Sequence, residues 1–325
     1  MTEFPTFAIY QTIEENMVVN MKIDAIKPFL KDTFCGDITY QSPLADATWY
    51  RIGGPADVLC SPEDEESLIG LIAACNAASV PYLLLGDGAN MLVHDDGFRG
   101  VVISLKEYFS KAFVRGNKLF AQAGTYLNDV LLLAMDNGLS GLEYLSGIPG
   151  TIGGALYMNA GIDQGTIGDV VFSISVLDAN LQIRSVPASE LDFLYRRVPQ
   201  LQDAIILGGT FDLQPKAEAD IRAVRTDLLQ RRAARQPLDH PSCGSVFKRP
   251  EGHFVGKMIQ DLGLKGLIHG GARISERHAG FIINTGTATA ADVLWLIQYI
   301  EEQVQKAYDV TLEREVKLVG FAENY

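Results

Sequence analysis

The chain has 325 residues, 47% of them hydrophobic, and 40 Asp and Glu against 27 Lys and Arg give a net charge of −13. That length suits two or three domains with cores of their own, and an isoelectric point near 4.8 excludes nonspecific attraction of the whole chain to nucleic acid or to an anionic membrane. The four cysteines, Cys35, Cys60, Cys75 and Cys243, form no CxxC pair and cluster with no histidines, so they read as reduced cytoplasmic thiols and not as a disulfide frame or a metal site. No apolar run reaches the length of a membrane span, and the N-terminus lacks a basic stretch followed by an apolar core, so a cytoplasmic protein is expected.

Residues 1–20 show little pattern, with Met1, Met17 and Met21 as candidate starts, and 22–34 predict a short helix. Asp57-Val58-Leu59-Cys60 reads as a strand. Ser61-Pro62-Glu63-Asp64 predicts a helix start, with a capping serine, proline in the first position and acids in the first turn. That helix runs to about Ala78 with Leu68, Leu71, Ile72 and Cys75 on one face. Pro81 to Leu85 and Val101 to Leu105 read as strands, and 112–123 as antiparallel pairing. Thr125 to Asn137 predicts an amphipathic helix closed by Gly138. Val171 to Leu177 and Ile205 to Leu213 are predicted strands, followed by a helix over 218–232 with Ile221, Val224 and Leu228 inward. Ala234-Arg235-Gln236-Pro237 breaks that helix at a shift in composition. The last third holds a glycine-rich stretch over 242–271 and the strand Gly280 to Asn284. A long helix follows, opened by a Thr289–Asp292 capping box, with Val293, Leu296, Ile297, Ile300 and Val304 as its stripe. Val316 to Val319 closes the chain as a strand, and the whole reads as α+β in two main lobes.

Between these elements lie two glycine-rich segments. Residues 147–161, GIPGTIGGALYMNAG, carry five glycines and a proline with almost no charge. An apolar segment this rich in glycine lets backbone approach something large and flat, either a cofactor or a tightly packed neighbouring element. Gly86-Asp87-Gly88-Ala89-Asn90-Met91-Leu92 follows a strand, and it suits either a nest of N–H groups for pyrophosphate or a plain turn between strands. It is not the dinucleotide fingerprint, because position 91 is Met and no clear helix follows. Elsewhere, Ser245 lacks the GxSxG elbow of serine hydrolases, and Cys243 beside it is the other nucleophile to weigh. Arg196 and Arg197 follow aromatics as at a solvated strand end, and Glu313 and Glu315 flank Arg314 before the last strand. Residues 231–277 hold nine Lys and Arg against four Asp and Glu, which makes either a solvated basic face or a patch that focuses an anionic substrate.

The two glycine loops and Ala47 to Asp57 together resemble the FAD-binding domain of the vanillyl-alcohol-oxidase (PCMH) type. A wider set resembles the family of UDP-N-acetylenolpyruvoylglucosamine reductases, from about residue 45 to the C-terminus: IGGPAD, LGDGANML, SGIPGTIGGALYMNAG, LDFLYRR, PSCGSVFKRP, GGARISERHAGFIIN and EREVKLVG. The resemblance implies an α+β fold with a two-subdomain FAD-binding domain and a C-terminal α+β substrate-binding domain. The divisions expected are an N-terminal extension and helix over 1–44, the FAD domain over 45–213 (subdomains 45–105 and 106–213) and the substrate domain over 218–320.

It also implies noncovalent FAD held by Gly53, Gly86, Asp87, Gly88, Ala89, Asn90, Met91, Gly147, Pro149, Gly150, Thr151, Gly153, Gly154, Asn159 and Gly161. NADPH is the implied hydride donor, a nucleotide sugar carrying an enolpyruvyl ether the implied substrate, and no metal or obligate protein partner is expected. The family's catalytic residues match Ser245 as proton donor, Arg196 and Glu315. Tyr195, Arg249, Lys257 and His278 are the candidate substrate contacts, Arg249 and Lys257 for a diphosphate. The familiar Tyr-Arg-x-Ser pattern departs here, with Val198 in place of the serine. The compact last domain suits the shorter type of the family. Two rivals remain at this level: a flavoprotein oxidase or dehydrogenase on the same scaffold, and a noncatalytic nucleotide-sugar-binding protein.

Overall fold

A computed structural model describes residues 23–322 of the chain; the readings of residues 1–20 and of residue 22 lie outside them. Helix α1 (23–32) buries Ile23, Ile26 and Leu30 against the first sheet. That sheet is built from β1 (Gly36–Pro43), β2 (Pro55–Pro62), β3 (Tyr82–Leu85) and β5 (Phe98–Ser104), with β4 (Met91–Val93) outside it. Its order is β1-β2-β5-β3, antiparallel between β1 and β2 and parallel elsewhere. The central strand β5 buries Val101, Val102 and Ile103 on both faces, as the unbroken apolar run of a parallel strand requires. Helix α2 (Glu65–Ala78) buries the four predicted residues Leu68, Leu71, Ile72 and Cys75. Its start differs from the prediction. Ser61 and Pro62 belong to β2, paired with Asp37 and Gly36, and the cap is Asp64, which accepts the Ser67 N–H at 2.8 Å.

The second lobe contains β6 (Ala112–Arg115), β7 (Lys118–Gln122), α3 (Leu127–Asp136), β8 (Leu139–Ser140), α4 (Ile152–Tyr157), and the short pair β9 (Gly161–Ile162) and β10 (Gly165–Thr166). It continues with β11 (Val171–Leu177), β12 (Ile183–Pro187), β13 (Ile205–Asp212) and β14 (Gln214–Pro215), the last paired with β8. The main sheet is antiparallel in the order β12-β11-β13-β7-β6. The edge strand β12 is short, mostly exposed and ends in proline, and its sequence IRSVP carries no apolar alternation by which it could be recognised. Gly138 closes α3 at φ +64°. Helix α4 sits inside the segment read as a loop: Ile152 N–H donates to Thr125 O, Gly153 N–H donates to Ala123 O, and Ile152 and Leu156 are fully buried. Tertiary bonds and burial outweigh the low helix propensity of its two glycines.

The third lobe holds α5 (Glu218–Arg235), α6 (Val255–Asp261), a small antiparallel sheet of β15 (Ile268–His269), β16 (Ala272–Ile274) and β17 (Ile282–Asn284), then α7 (Ala290–Tyr308) and β18 (Lys317–Val319). The capping box of α7 is formed as predicted, and its five-residue stripe is buried. Helix α5 buries Ile221, leaves Val224 and Leu228 half-buried, and leans on α3 of the second lobe. The lobes interlock. β18 returns to pair in parallel with β4, and Val319 joins Leu44, Ala56, Leu85, Val93 and Val102 in one cluster. Tyr50, Ile52 and Leu92 of the first lobe enter the core of the third. Asn284 fastens this junction: its amide donates to Tyr50 O at 2.9 Å and accepts from the N–H groups of Gly286 and Ala288. Asn284→Ala strands those buried groups and should cost about 1–3 kcal/mol in urea unfolding. An unchanged midpoint would show that the junction does not rest on it.

Candidate active site

Three chain segments that carry the predicted catalytic residues meet, through an ion pair and backbone hydrogen bonds. Arg196 stands on a tight turn at φ +57°, a conformation that costs a non-glycine residue about 1–2 kcal/mol. A Leu194–Arg197 bridge closes the turn, and Asn159 holds it by donating its amide to Leu194 O at 3.1 Å. Val198, in place of the family's serine, is fully buried beneath it. The turn aims Arg196 at Glu315: Nε donates to Oε1 at 2.8 Å, and Nη1 donates to Gly161 O at 3.2 Å.

Glu315 is itself fixed on both sides. Its N–H donates to Val246 O at 2.8 Å, and its carbonyl accepts from the Asn90 amide at 3.0 Å. Val246 follows Ser245, which bridges to Phe281, and the Val246 N–H donates to Gly280 O. Backbone bonds therefore tie the Ser245 segment to the Glu315 segment, and a side-chain ion pair ties Glu315 to Arg196. Burial pushes the Glu315 carboxyl above the ordinary glutamate range, while Arg196 and then Lys248 pull it back. Glu313, the competing carboxylate, is exposed and pairs with Lys248. Cys243 is buried, and desolvation pushes its thiol up to about 12, which leaves it a poor nucleophile.

The candidate substrate contacts divide. Tyr195 is exposed beside Arg196, and its hydroxyl accepts the Arg249 N–H at 3.3 Å. The Arg249 guanidinium reaches Asp163 at 3.4 Å, so Tyr195, Arg249 and Asp163 form one polar group next to Arg196. Sequence reasoning missed Asp163, which carries no motif. His278 lies near Ser245: its Nδ1 accepts from Gly280 N–H at 3.1 Å, and burial lowers its pKa, so it works as a neutral acceptor holding the turn. Lys257 sits on α6 in an exposed pair with Asp261 at 2.7 Å, and no contact joins it to the others.

The two glycine loops meet. A Cβ placed on Gly86 would lie 2.8 Å from Thr151 Oγ1. The carbonyls of Gly88 and Asn90 accept from Trp49 and Lys317, which turns them into the protein. Trans peptide geometry then turns the following N–H groups, of Ala89 and Met91, the other way. Asp87 accepts from Trp49 Nε1 at 2.7 Å. Gly150, at φ +137°, has nothing within 4 Å of an added Cβ, and Gly154 meets only Thr151 at 3.8 Å. These positions, with Pro149 between Gly147 and Gly150, border open space that side chains would narrow. The flavin that the resemblance implies fits such a cradle.

Other glycines answer to the protein's own packing. An added Cβ would strike Val93 from Gly53, Arg232 and Leu229 from Gly147, Ala123 from Gly153, and Gly165 O from Gly161. The side chain of Asn159 is used within the chain, between Leu194 O and the Gly168 N–H. Among the described residues, no group of three or more His, Cys, Asp or Glu is placed to hold a metal ion.

Adjacent glycines should therefore fail differently. Gly153→Val overpacks α4 against Ala123 and should lower stability by about 1–3 kcal/mol. Gly154→Val should keep the melting temperature of the flavin-free protein and lower flavin content, measured by visible absorbance. Equal flavin loss with equal destabilisation in both would contradict this division. For Glu315, a raised folded-state pKa means that the folded chain holds its proton to higher pH than the unfolded chain. That stability is fully present below the ordinary value of about 4.3 and is lost as pH rises through the raised value. Glu315→Gln lacks this titration. The stability of the native protein relative to the variant should fall as pH rises above the ordinary glutamate value of about 4.3, and a constant difference would show that the carboxyl is unperturbed.

Residues 236–319 match the family model described as UDP-N-acetylenolpyruvoylglucosamine reductase, C-terminal domain, and residues 56–186 match that of an FAD binding domain. The UDP-N-acetylenolpyruvoylglucosamine reductase of Clostridium perfringens (strain SM101 / Type A) is 44% identical over 285 residues, 87% of this chain and 93% of that protein. The same-named protein of Caldanaerobacter subterraneus subsp. tengcongensis is 43% identical over 299 residues, 92% of this chain and 98% of that protein. Among solved structures, UDP-N-acetylenolpyruvylglucosamine reductase (MurB) from Thermus caldophilus superposes with a TM-score of 0.76 at 33% identity, covering 88% of this chain and 99% of that one. The interlocked FAD-binding and third lobes, and relatives matching along nearly the whole length, lead to one conclusion: the chain belongs to the UDP-N-acetylenolpyruvoylglucosamine reductase family of FAD-dependent oxidoreductases.

Proposed function

We propose that this protein reduces the enolpyruvyl ether of UDP-N-acetylglucosamine enolpyruvate to UDP-N-acetylmuramate, with NADPH as reductant, in peptidoglycan precursor synthesis. The observation that carries this reading is the convergence of Arg196, Glu315 and the Ser245 segment beside the two glycine loops. We assign the FAD cradle to 45–213 and the substrate side to 218–320. A cytoplasmic setting, with small molecules as the only obligate partners, fits the free cysteines.

The chemistry that bound FAD supplies is hydride transfer, in from NADPH and out to the vinyl CH2 of the ether. Addition of hydride to that carbon sends negative charge towards the substrate carboxylate, as an enolate. Arg196 stabilises this charge through its guanidinium, which Glu315 and Gly161 O hold in a fixed orientation. Glu315, with its carboxyl raised by burial, either orients the arginine as a carboxylate or donates a hydrogen bond when protonated. Ser245 delivers the proton to the carbon next to the carboxylate and completes the lactyl ether. A serine is a weak acid, so the step depends on the basicity of the enolate and on placement. Tyr195 and Arg249 form a polar rim suited to the diphosphate.

Ser245→Ala should leave flavin reduction by NADPH within about twofold and slow reoxidation by the enolpyruvyl sugar by about 10²–10⁴-fold, as read by anaerobic stopped-flow absorbance. Equal losses in the two half-reactions would remove Ser245 from the proton-donor role.

A further inference from the structure

Five of the nine Lys and Arg in the stretch 231–277 form ion pairs in the fold. Arg231 pairs with Asp227, Lys248 with Glu313, Arg249 with Asp163, Lys257 with Asp261 and Arg277 with Asp239. Arg232 has no such partner. Among the described residues no carboxylate pairs with it, and its Nε, like that of Arg273, is sealed from solvent without a hydrogen-bond partner; of the two, Arg232 is the one beside the glycine loop and Arg196. The side chain runs from α5 onto the first glycine of the long loop: a Cβ on Gly147 would lie 2.9 Å from Arg232 Cδ and 3.6 Å from Nε. The charge it feels is Arg196, which Glu315 already matches. Burial and then repulsion from Arg196 bring its pKa down to about 10. An uncompensated, partly buried guanidinium is costly, and the positive charge of Arg196 beside it adds to that cost.

We propose that Arg232 is a second anion-binding arginine of the active site, which with Arg196 grips a planar, delocalised anion between Gly147 and the Tyr195–Arg196 turn. Guanidinium forks suit such anions because two parallel donors meet two acceptors. Under the proposed reductase function, on which this inference rests, two sources share that chemistry: the carboxylate of the enolpyruvyl group, and the pyrimidine edge of reduced flavin.

Two variants of the flavin-loaded protein distinguish them. Arg232→Met keeps the stem against Gly147 and removes the charge, and Arg232→Lys keeps the charge without the fork. The readouts are the dissociation constant of the enolpyruvyl UDP-sugar from oxidised protein, by flavin absorbance, and the two-electron midpoint potential, by dye equilibration. If the anion is the substrate carboxylate, Arg232→Met should weaken binding by about 10–100-fold at unchanged potential. If it is the flavin edge, the potential should fall by the equivalent of at least a tenfold change, about 30 mV, at unchanged binding. In either case Arg232→Lys recovers part of the change, and it carries the test if the Met variant does not fold. Native values in both readouts would overturn the proposal. A native protein that bound neither FAD nor the sugar would instead defeat the proposed function, whatever Arg232 does.

Discussion

The ion pair between Arg196 and Glu315 joins residues 119 apart and belongs to two lobes at once. Both partners are mostly withdrawn from water, at 23% and 14% side-chain exposure, so each is costly alone and tolerable only with the other in place. The turn that carries Arg196 is strained, and the segment that carries Glu315 is held by Val246 O and the Asn90 amide. Strain and burial gathered on one pair are what a site needs when a charge must be stabilised without rearrangement.

The rest of the architecture serves that meeting. The return of β18 to β4 brings Glu315 beside Asn90, on the loop that helps to form the cradle. Tyr50 in the third-lobe core and Asn284 on its carbonyl keep the lobes in register. The proposed cradle and the candidate catalytic side chains thus share one framework. A change that loosens the junction should disturb cofactor and chemistry together.

Much of this was legible in the chain. Periodicity gave α2 and α7 with their buried faces and α3 as an amphipathic helix closed by Gly138. The departures have physical causes. Pro62 reads as a helix start, but pairing with Gly36 keeps it in β2 and moves the cap to Asp64. Helix α4 was hidden because carbonyls from distant residues, not propensity, hold its first N–H groups. Glycines at 150 and 153 look alike in sequence, yet one borders open space and the other packs on Ala123. The basic stretch read as either a solvated face or a focusing patch, and acids both near and distant in sequence pair with five of its nine cations. Motif resemblance pointed to Arg196, Glu315 and Ser245. Their ion pair and backbone ties are long-range facts that no local pattern carries.

The central claim is that Arg196 and Glu315 act as one unit on the substrate. A double-mutant cycle of Arg196→Met and Glu315→Gln, read as the anaerobic rate of flavin reoxidation by the enolpyruvyl UDP-sugar, tests it most directly. The account predicts strong non-additivity: each single variant should lose nearly as much rate as the pair, within about tenfold. Losses that multiply, with the double variant slowed by the product of the two single effects, would contradict it.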